Sequence, residues 1–545
     1  MVSFRKSLMV VTLLALCAGL AMAQCSFSGT SVLRHEGVAE PLVPINISCT
    51  DVTAGAPDSI TGTYNITLYS GAPITSAPAT SKVAAEIELM AGGTPYAGTL
   101  VNSTTVTFSN VALVGTFVPG VPAENTYAFS LTGIRLNAST VQLGGANFSS
   151  GVGLTLFATP ADKVSPAGLF NGSEIYNLTN VAYAIPTFGF NVSYKGATLN
   201  PATPGTEVNL SQCNPSDPNV ATPTVATPVA ANFPVVFNLN FVESYSAAFL
   251  TLADEGPYAT QGTRLSATFT NLPANTQLWV PAGVTTGTIS ASLVLSPAAD
   301  GSGGTLAVDA SPEVGWYAVT PGTAIVYEVT AESMNQTETL AIPVSVAYTG
   351  VPSLAAATSG TVSANYAPQS SNPGAISSPI PRFSSAPVTG SGLYSVVACS
   401  TSLLFPYVTS QPGWNVGLAV SNTGTDPFGN TGQSGTCAFS FFGATGAPAA
   451  PVTLGAAGFG DSTAIAPGTT SADVLSNALA TGANFTGYAI AVCNFQYAHG
   501  YAFVIGNNTK STFAHGYLAL VLQGTGTNPP LARGGQNGQY EKVGN

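Results

Sequence analysis

The chain has 545 residues, too many for one core, and charged residues make up 7% of it, against roughly 25% in an ordinary soluble domain. A formal net charge of −12 with only 12 Lys plus Arg leaves no cationic surface for nucleic acid and disfavours anionic membranes. Mean hydropathy is positive at +0.32, which excludes ordinary disorder.

Residues 1–23 read as a secretory signal peptide. Arg5 and Lys6 are its positive region, Leu8 to Leu16 its apolar region, and Ala21-Met22-Ala23 its cleavage site, leaving Gln24 first in the mature chain. Gln24 before Cys25 argues against a lipoprotein. Past this point no apolar run reaches the roughly 18–20 residues that span a bilayer, so no transmembrane segment is expected after cleavage. Cys17 is lost with the signal, and Cys25, Cys49, Cys213, Cys399, Cys437 and Cys493 remain. An even count in an exported chain points to disulfides. Cys25–Cys49 and Cys437–Cys493 would each staple one module. Cys213 and Cys399 lie in different modules, and their pairing, with each other or otherwise, stays open.

In chain order, residues 24–213 form a first β-sandwich module with an extension. Its strands are announced at Gly62–Tyr69, Thr104–Phe108 and Thr126–Leu131, with a further run at Phe188–Tyr194. Residues 214–231, with repeated Thr-Pro steps, are a semi-rigid linker. Residues 232–367 form a second β-sandwich, with strand signals at Val235–Val242, Thr263–Thr270, Thr288–Leu295, Ala324–Thr330 and Leu340–Tyr348. Pro343 assigns the last of these to an edge. A second linker, 368–392, is rich in Pro, Ser and Gly, and 393–524 is a third β-sandwich. Within it Val416, Leu418 and Val420 alternate toward a core and Asn422 to Gly429 make a turn-rich exit. The best helix signal is Ser471–Leu479. The tail, 525–545, is polar and reads as disordered. The fold class is therefore all-β: Ig-like or jelly-roll-like sandwich modules on Pro/Ser/Thr-rich linkers, with almost no helix.

Candidate chemistry is sparse. His499 and His515 sit in two AHGY repeats and are weak metal candidates, with Asp426, Asp461 and Asp473 as the acidic residues that would have to approach them. Gly460-Asp461-Ser462 and Asp300–Gly304 resemble fragments of serine-hydrolase motifs but lack their order and context, and no G-x-S-x-G elbow occurs. Asp254 with Glu255, and Glu328, Glu332 and Glu338, read as solvated faces before they read as a glycosidase pair or calcium site. Trp279, Trp316 and Trp414 are candidates for stacking on sugars, against the routine alternative of a core tryptophan. Twelve N-x-[ST] sequons occur, nine of them before Cys213. No cofactor is indicated.

Leu403–Tyr407 (LLFPY), Gly413–Gly429 (GWNVGLAVSNTGTDPFG), Gly435–Cys437 and Ala491–Gly500 (AVCNFQYAHG) resemble a group of uncharacterised exported proteins from acidobacteria. The resemblance extends upstream through Gly262–Pro273, Tyr327–Ser333 and Pro379–Phe383. It implies no established activity and no catalytic residues. In the group's pattern the first AHG is regular and the second histidine is not, which weakens a two-histidine metal site. The reading that follows is a secreted, non-enzymatic structural or adhesion protein of the cell surface, whose partners are copies of itself or surface glycans. An extracellular polysaccharide-binding protein and a secreted hydrolase with an unrecognised site are the alternatives.

Overall fold

The computed structural model describes residues 24–51, 61–76, 83–118, 124–144, 148–149, 151–161, 174–194, 197–198, 208–211, 235–273, 276–307, 315–348, 360–370, 379–397, 400–427, 432–443, 445–455, 459–460, 463–479, 484–508 and 511–522. The expected signal segment 1–23, the expected linker 214–231 and tail 525–545, and Cys213, Cys399, Asp461 and Ser462 lie outside the described residues. The described chain is almost wholly β, and no helix in it is long and apolar enough to cross a membrane.

The main sheet of the first module is one continuous run of 11 strands. It starts from Gln24–Ser28 beside Ile45–Asp51 and ends on Ser31–Arg34, which pairs in parallel with Glu174–Ile185. Alternation builds its core: in Val152–Pro160 the side chains of Val152, Leu154, Leu156 and Ala158 are buried while their neighbours are not. A single apolar cluster collects the inward residues of the whole sheet, from Leu33 to Ala184. The expected disulfide Cys25–Cys49 joins directly opposed residues of the first two strands.

The second module is a sandwich of a six-stranded and a seven-stranded sheet around one core. Here the expected boundaries change. Phe188–Tyr194, assigned to the first module's extension, pairs along its whole length with Val235–Glu243, and Phe190 and Val192 enter the second core. The periodicity of that run was visible, but its partner strand lies more than forty positions on, beyond any local signal. The 368–392 segment is not a free linker where it is described. Val388–Ser391 extends the seven-stranded sheet, Ile380 and Phe383 are buried, and the Phe383 ring stacks on Tyr366 at 4.4 Å. Nor does Pro343 mark an edge strand: Thr339–Tyr348 is flanked by two neighbours. The ladder to Thr276–Pro281 stops at Trp279 opposite Ser345, two residues short of the proline, so its missing N–H interrupts no pairing on that side.

The third module packs a five-stranded sheet on a four-stranded one. Val416, Leu418 and Val420 point inward as the alternation predicts. Asn422 ends that strand fully buried, and its amide donates to the carbonyls of Gln433 and Ile465, tying two loops to the strand end. Ser471–Leu479 is not a helix. Thr470–Val474 is a strand on the four-stranded sheet, and only Leu475–Ala478 makes a helical turn. Ser471 is drawn into the sheet opposite Val420, so it does not cap the turn. Cys437–Cys493 forms across opposed residues of adjacent strands in the five-stranded sheet.

Candidate functional site

The described basic side chains are Arg34, Arg135, Arg264 and Arg382, and all four are buried. Two of them hold the first module to the second. Arg34, on the last strand of the first sheet, binds Glu40 (2.8 Å) within its own module and Glu255 (2.9 Å) in the second. Its remaining N–H groups donate to Thr263 Oγ1 and the Ala248 carbonyl, and its guanidinium lies 4.9 Å from the Phe383 ring centroid. Arg135 pairs with Glu86 (2.6 Å) and donates to the Glu255 and Pro257 carbonyls. Glu36 accepts from the Thr187 and Phe188 amides, and Thr187 contacts the Tyr366 hydroxyl. Burial alone would favour the neutral form of Arg34, but Glu255 and Glu40 outweigh it and hold the pKa well above its ordinary value. Burial pushes the Glu255 carboxyl up, while Arg34 and Arg135 oppose the shift.

This junction collects displaced pKa values, as an active site does, but its groups are saturated by one another and Glu255 has no exposed surface. Arg264 is used similarly. It pairs with Glu328 at 2.9 Å and donates to the Gly301 and Gly303 carbonyls, so the Asp300–Gly304 tract is a turn that receives an arginine. A shallow depression of about 480 Å3 on the first module is lined by Ser26, Ser28, Asn46, Ser48 and Met90 among others, none of them titratable.

Glu332 differs from these. It is half-buried, and both carboxylate oxygens are shielded from solvent without a hydrogen-bond partner. Glu328, four residues earlier, faces Arg264 instead of joining it. Burial, then Glu243, Asp254 and Glu338, push the Glu332 pKa up to about 8. A carboxyl whose folded pKa is raised makes its full contribution below its unfolded pKa near 4.5, and loses it as pH rises through about 8. Glu332→Gln is therefore expected to match the wild type at pH 4 and to exceed it progressively up to pH 8. The gain is on the order of 1–2 kcal/mol, allowing for screening of a half-exposed group. Denaturant titrations at several pH values measure it, and a gain that does not grow with pH would refute the assignment.

The surface that stands apart is on the third module. Of the nine exposed aromatic side chains among the described residues, seven lie there: Tyr407, Trp414, Phe442, Tyr488, Tyr501, Phe503 and Phe513. The sheet registers sort most of them onto two faces. On the outer side of the four-stranded sheet, the strand Ala498–Asn508 raises Tyr501, Phe503 and Ile505 as a ridge. Strand neighbours on one side are Ala419, Gly417 and Asn415; on the other they are Leu518, Gly516 and Ala514. The Tyr501 ring passes over Gly516, where a Cβ would collide with it, and stacks on Phe503 at 6.4 Å. On the outer side of the five-stranded sheet, Tyr488 stacks on Phe442 at 4.9 Å, and Ile490, Val492, Leu404 and Leu520 continue the apolar surface. Burying such side chains is worth about 1.5–3 kcal/mol each, so two bare faces represent a substantial unspent driving force.

The candidates read from sequence fare unevenly. His499 lies on the outer face of the four-stranded sheet opposite Ser421. His515 is opposite Val504, whose row faces the other side, so the two are not brought together. Among the described residues no three His, Cys, Asp or Glu side chains gather for a metal ion. Trp279 is 1% exposed and part of the interior, which removes it as a stacking residue. Trp316 is half-buried. Trp414 is exposed, lies flat over Gly506 and packs on Phe513 at 5.8 Å. The ridge residues were missed because AHGYAFVIG reads as a continuous apolar strand. The available signal was the near-absence of charge from 393 to 524, where Asp426, Asp461, Asp473 and Lys510 are the only charged residues.

No family model matches the chain, and no curated protein matches it. Among solved structures, the C-terminal domain of the Streptococcus agalactiae antigen I/II polypeptide BspA aligns over 62% of this chain and 91% of its own, at 8% identity and a TM-score of 0.21. The C-terminal domain of the Streptococcus pyogenes antigen I/II-family protein AspA aligns over 68% and 99%, at 7% identity and 0.24. The CupB6 tip adhesin of Pseudomonas aeruginosa aligns over 64% and 94%, at 11% identity and 0.17. Likeness at these TM-scores carries no functional argument.

Proposed function

We propose that this is an exported, non-enzymatic surface protein with a structural or adhesive role, whose third module presents the working surface. The observation that carries the reading is the pair of apolar outer faces on that module. Two disulfides and the N-terminal signal pattern fit an oxidising exterior. Arg34, Arg135, Glu40, Glu86 and Glu255 are locked together in a closed junction, which suits architecture better than turnover. Fractionating a culture into cells, surface and medium, with size measurement, tests this. The expected result is surface material larger than the monomer, and a freely diffusing monomer in the medium would overturn it. Hydrolase activity that is abolished by Ser462→Ala or His499→Ala would overturn the non-enzymatic part.

One observation favours a second reading, polysaccharide binding: the rings of Tyr501 and Trp414 lie against glycines and remain exposed, as sugar-stacking platforms do. Retention on an insoluble uncharged polysaccharide separates the two.

A further inference from the structure

We propose that the occupant of the third module's apolar faces is a second copy of this chain, docked front to back: the Tyr501–Phe503 face of one copy lies on the Tyr488–Phe442 face of the next. This rests on the reading of that module as an association surface. Three observations carry it. First, the module has two unlike apolar faces on opposite sides of one sandwich. A symmetric front-to-front pair would leave both back faces bare. A front-to-back contact covers every face except the two at the ends, and because it does not close on itself it generates an open linear stack.

Second, the relief is complementary. On the front, the ridge Tyr501–Phe503–Ile505 lies one strand away from the low strip Gly417–Ala419. On the back, the ridge Tyr488–Ile490–Val492 lies one strand away from the low strip Ala438–Ser440. Both steps are one inter-strand spacing, about 4.8 Å, so the ridge of one face seats on the strip of the other.

Third, area and charge allow a weak, concentration-dependent stack. Four strands by about seven residues give a flat face of roughly 450 Å2, below the about 800 Å2 per partner of a stable pair, so each contact is weak and stacks lengthen as concentration rises. Asp426 and Asp473 are the charged residues described in the module, and neither belongs to the rows that form the faces, so no like-charge repulsion opposes stacking.

The test uses the full chain in analytical ultracentrifugation. Wild type is expected to gain mass with concentration without reaching a plateau. Phe503→Asp blocks the front and Tyr488→Asp the back, and both side chains are exposed, so folding is expected to survive; Phe503→Lys serves as a second front variant, and matched thermal unfolding checks all three. Each variant alone is expected to be monomeric at concentrations where wild type assembles, and an equimolar mixture of Phe503→Asp and Tyr488→Asp is expected to form 1:1 dimers. Dimers of Tyr488→Asp alone would show a symmetric front contact and overturn the inference while leaving self-association standing. A monomeric wild type retained on insoluble cellulose, with retention lost in Phe503→Asp, would overturn it in favour of a glycan platform. A monomer that is not retained would overturn both this inference and the reading beneath it.

Discussion

Arg34→Ala is expected to destabilise the first two modules by about 3–5 kcal/mol and to split into two the single thermal transition expected of the wild type. The guanidinium is the only described cation bonded to Glu40 and Glu255 together. Without it two buried carboxylates face each other across the junction without a cation between them, the Ala248 carbonyl loses this donor, and the Thr263 hydroxyl keeps only the Leu250 amide as donor. The size of the effect reflects stranded charge more than the worth of the pair itself. Removing all three charges together, as Arg34→Met with Glu40→Gln and Glu255→Gln, is therefore expected to recover most of the loss. Acid should narrow the gap as well, because the stranded carboxylates can then take up protons. Calorimetry checks each point. A single unshifted transition in Arg34→Ala would show that the junction does not couple the modules.

That junction explains a misreading of the sequence. With charges at 7% of the chain, those present look like surface solvation, and Asp254–Glu255 and Glu328–Glu332 were read as solvated faces. Glu255 and Glu328 are used in reverse, buried against Arg34 and Arg264, while Asp254 is exposed as expected. Hydroxyls and amides cover the outside, and the described arginines are spent inside, where planar donors satisfy several carbonyls and carboxylates at once. Nothing local announces this, because Arg34 and Glu255 meet across two modules and more than two hundred residues. Local alternation, in contrast, was legible wherever one face of a strand is buried. Val416, Leu418 and Val420 point inward as their spacing requires. It failed at Ser471–Leu479, where the helix signal gives way to the open edge of the strand Trp414–Asn422, which takes Thr470–Val474. It was mute about the working surface, because a strand apolar on both faces gives no alternation to read.

Removing Cys437 and Cys493 together is expected to cost the third module about 4 kcal/mol, from the unfolded-state entropy of a loop whose ends lie 56 residues apart. Both sulfurs belong to residues with no exposed surface, so alanine at these sites adds a packing loss. The shorter Cys25–Cys49 loop, with a separation of 24, should matter slightly less. Chemical denaturation of each double variant measures the difference, and equal stability of wild type and the Cys437/Cys493 variant would refute it. With these two bonds formed and Cys17 expected to leave with the signal segment, Cys213 and Cys399 remain, and we propose that they pair with each other. The described strands Val208–Ser211 and Tyr394–Val397 run parallel with Ser211 opposite Val397, and each cysteine follows its strand by two residues. Non-reducing peptide mapping should find this link, and free thiols at both positions would refute it. Such a bond would close most of the second module inside a covalent loop near its entry and exit. A pull along the chain would then bypass that module, which should extend under load only after reduction, a property suited to a protein that holds surfaces together.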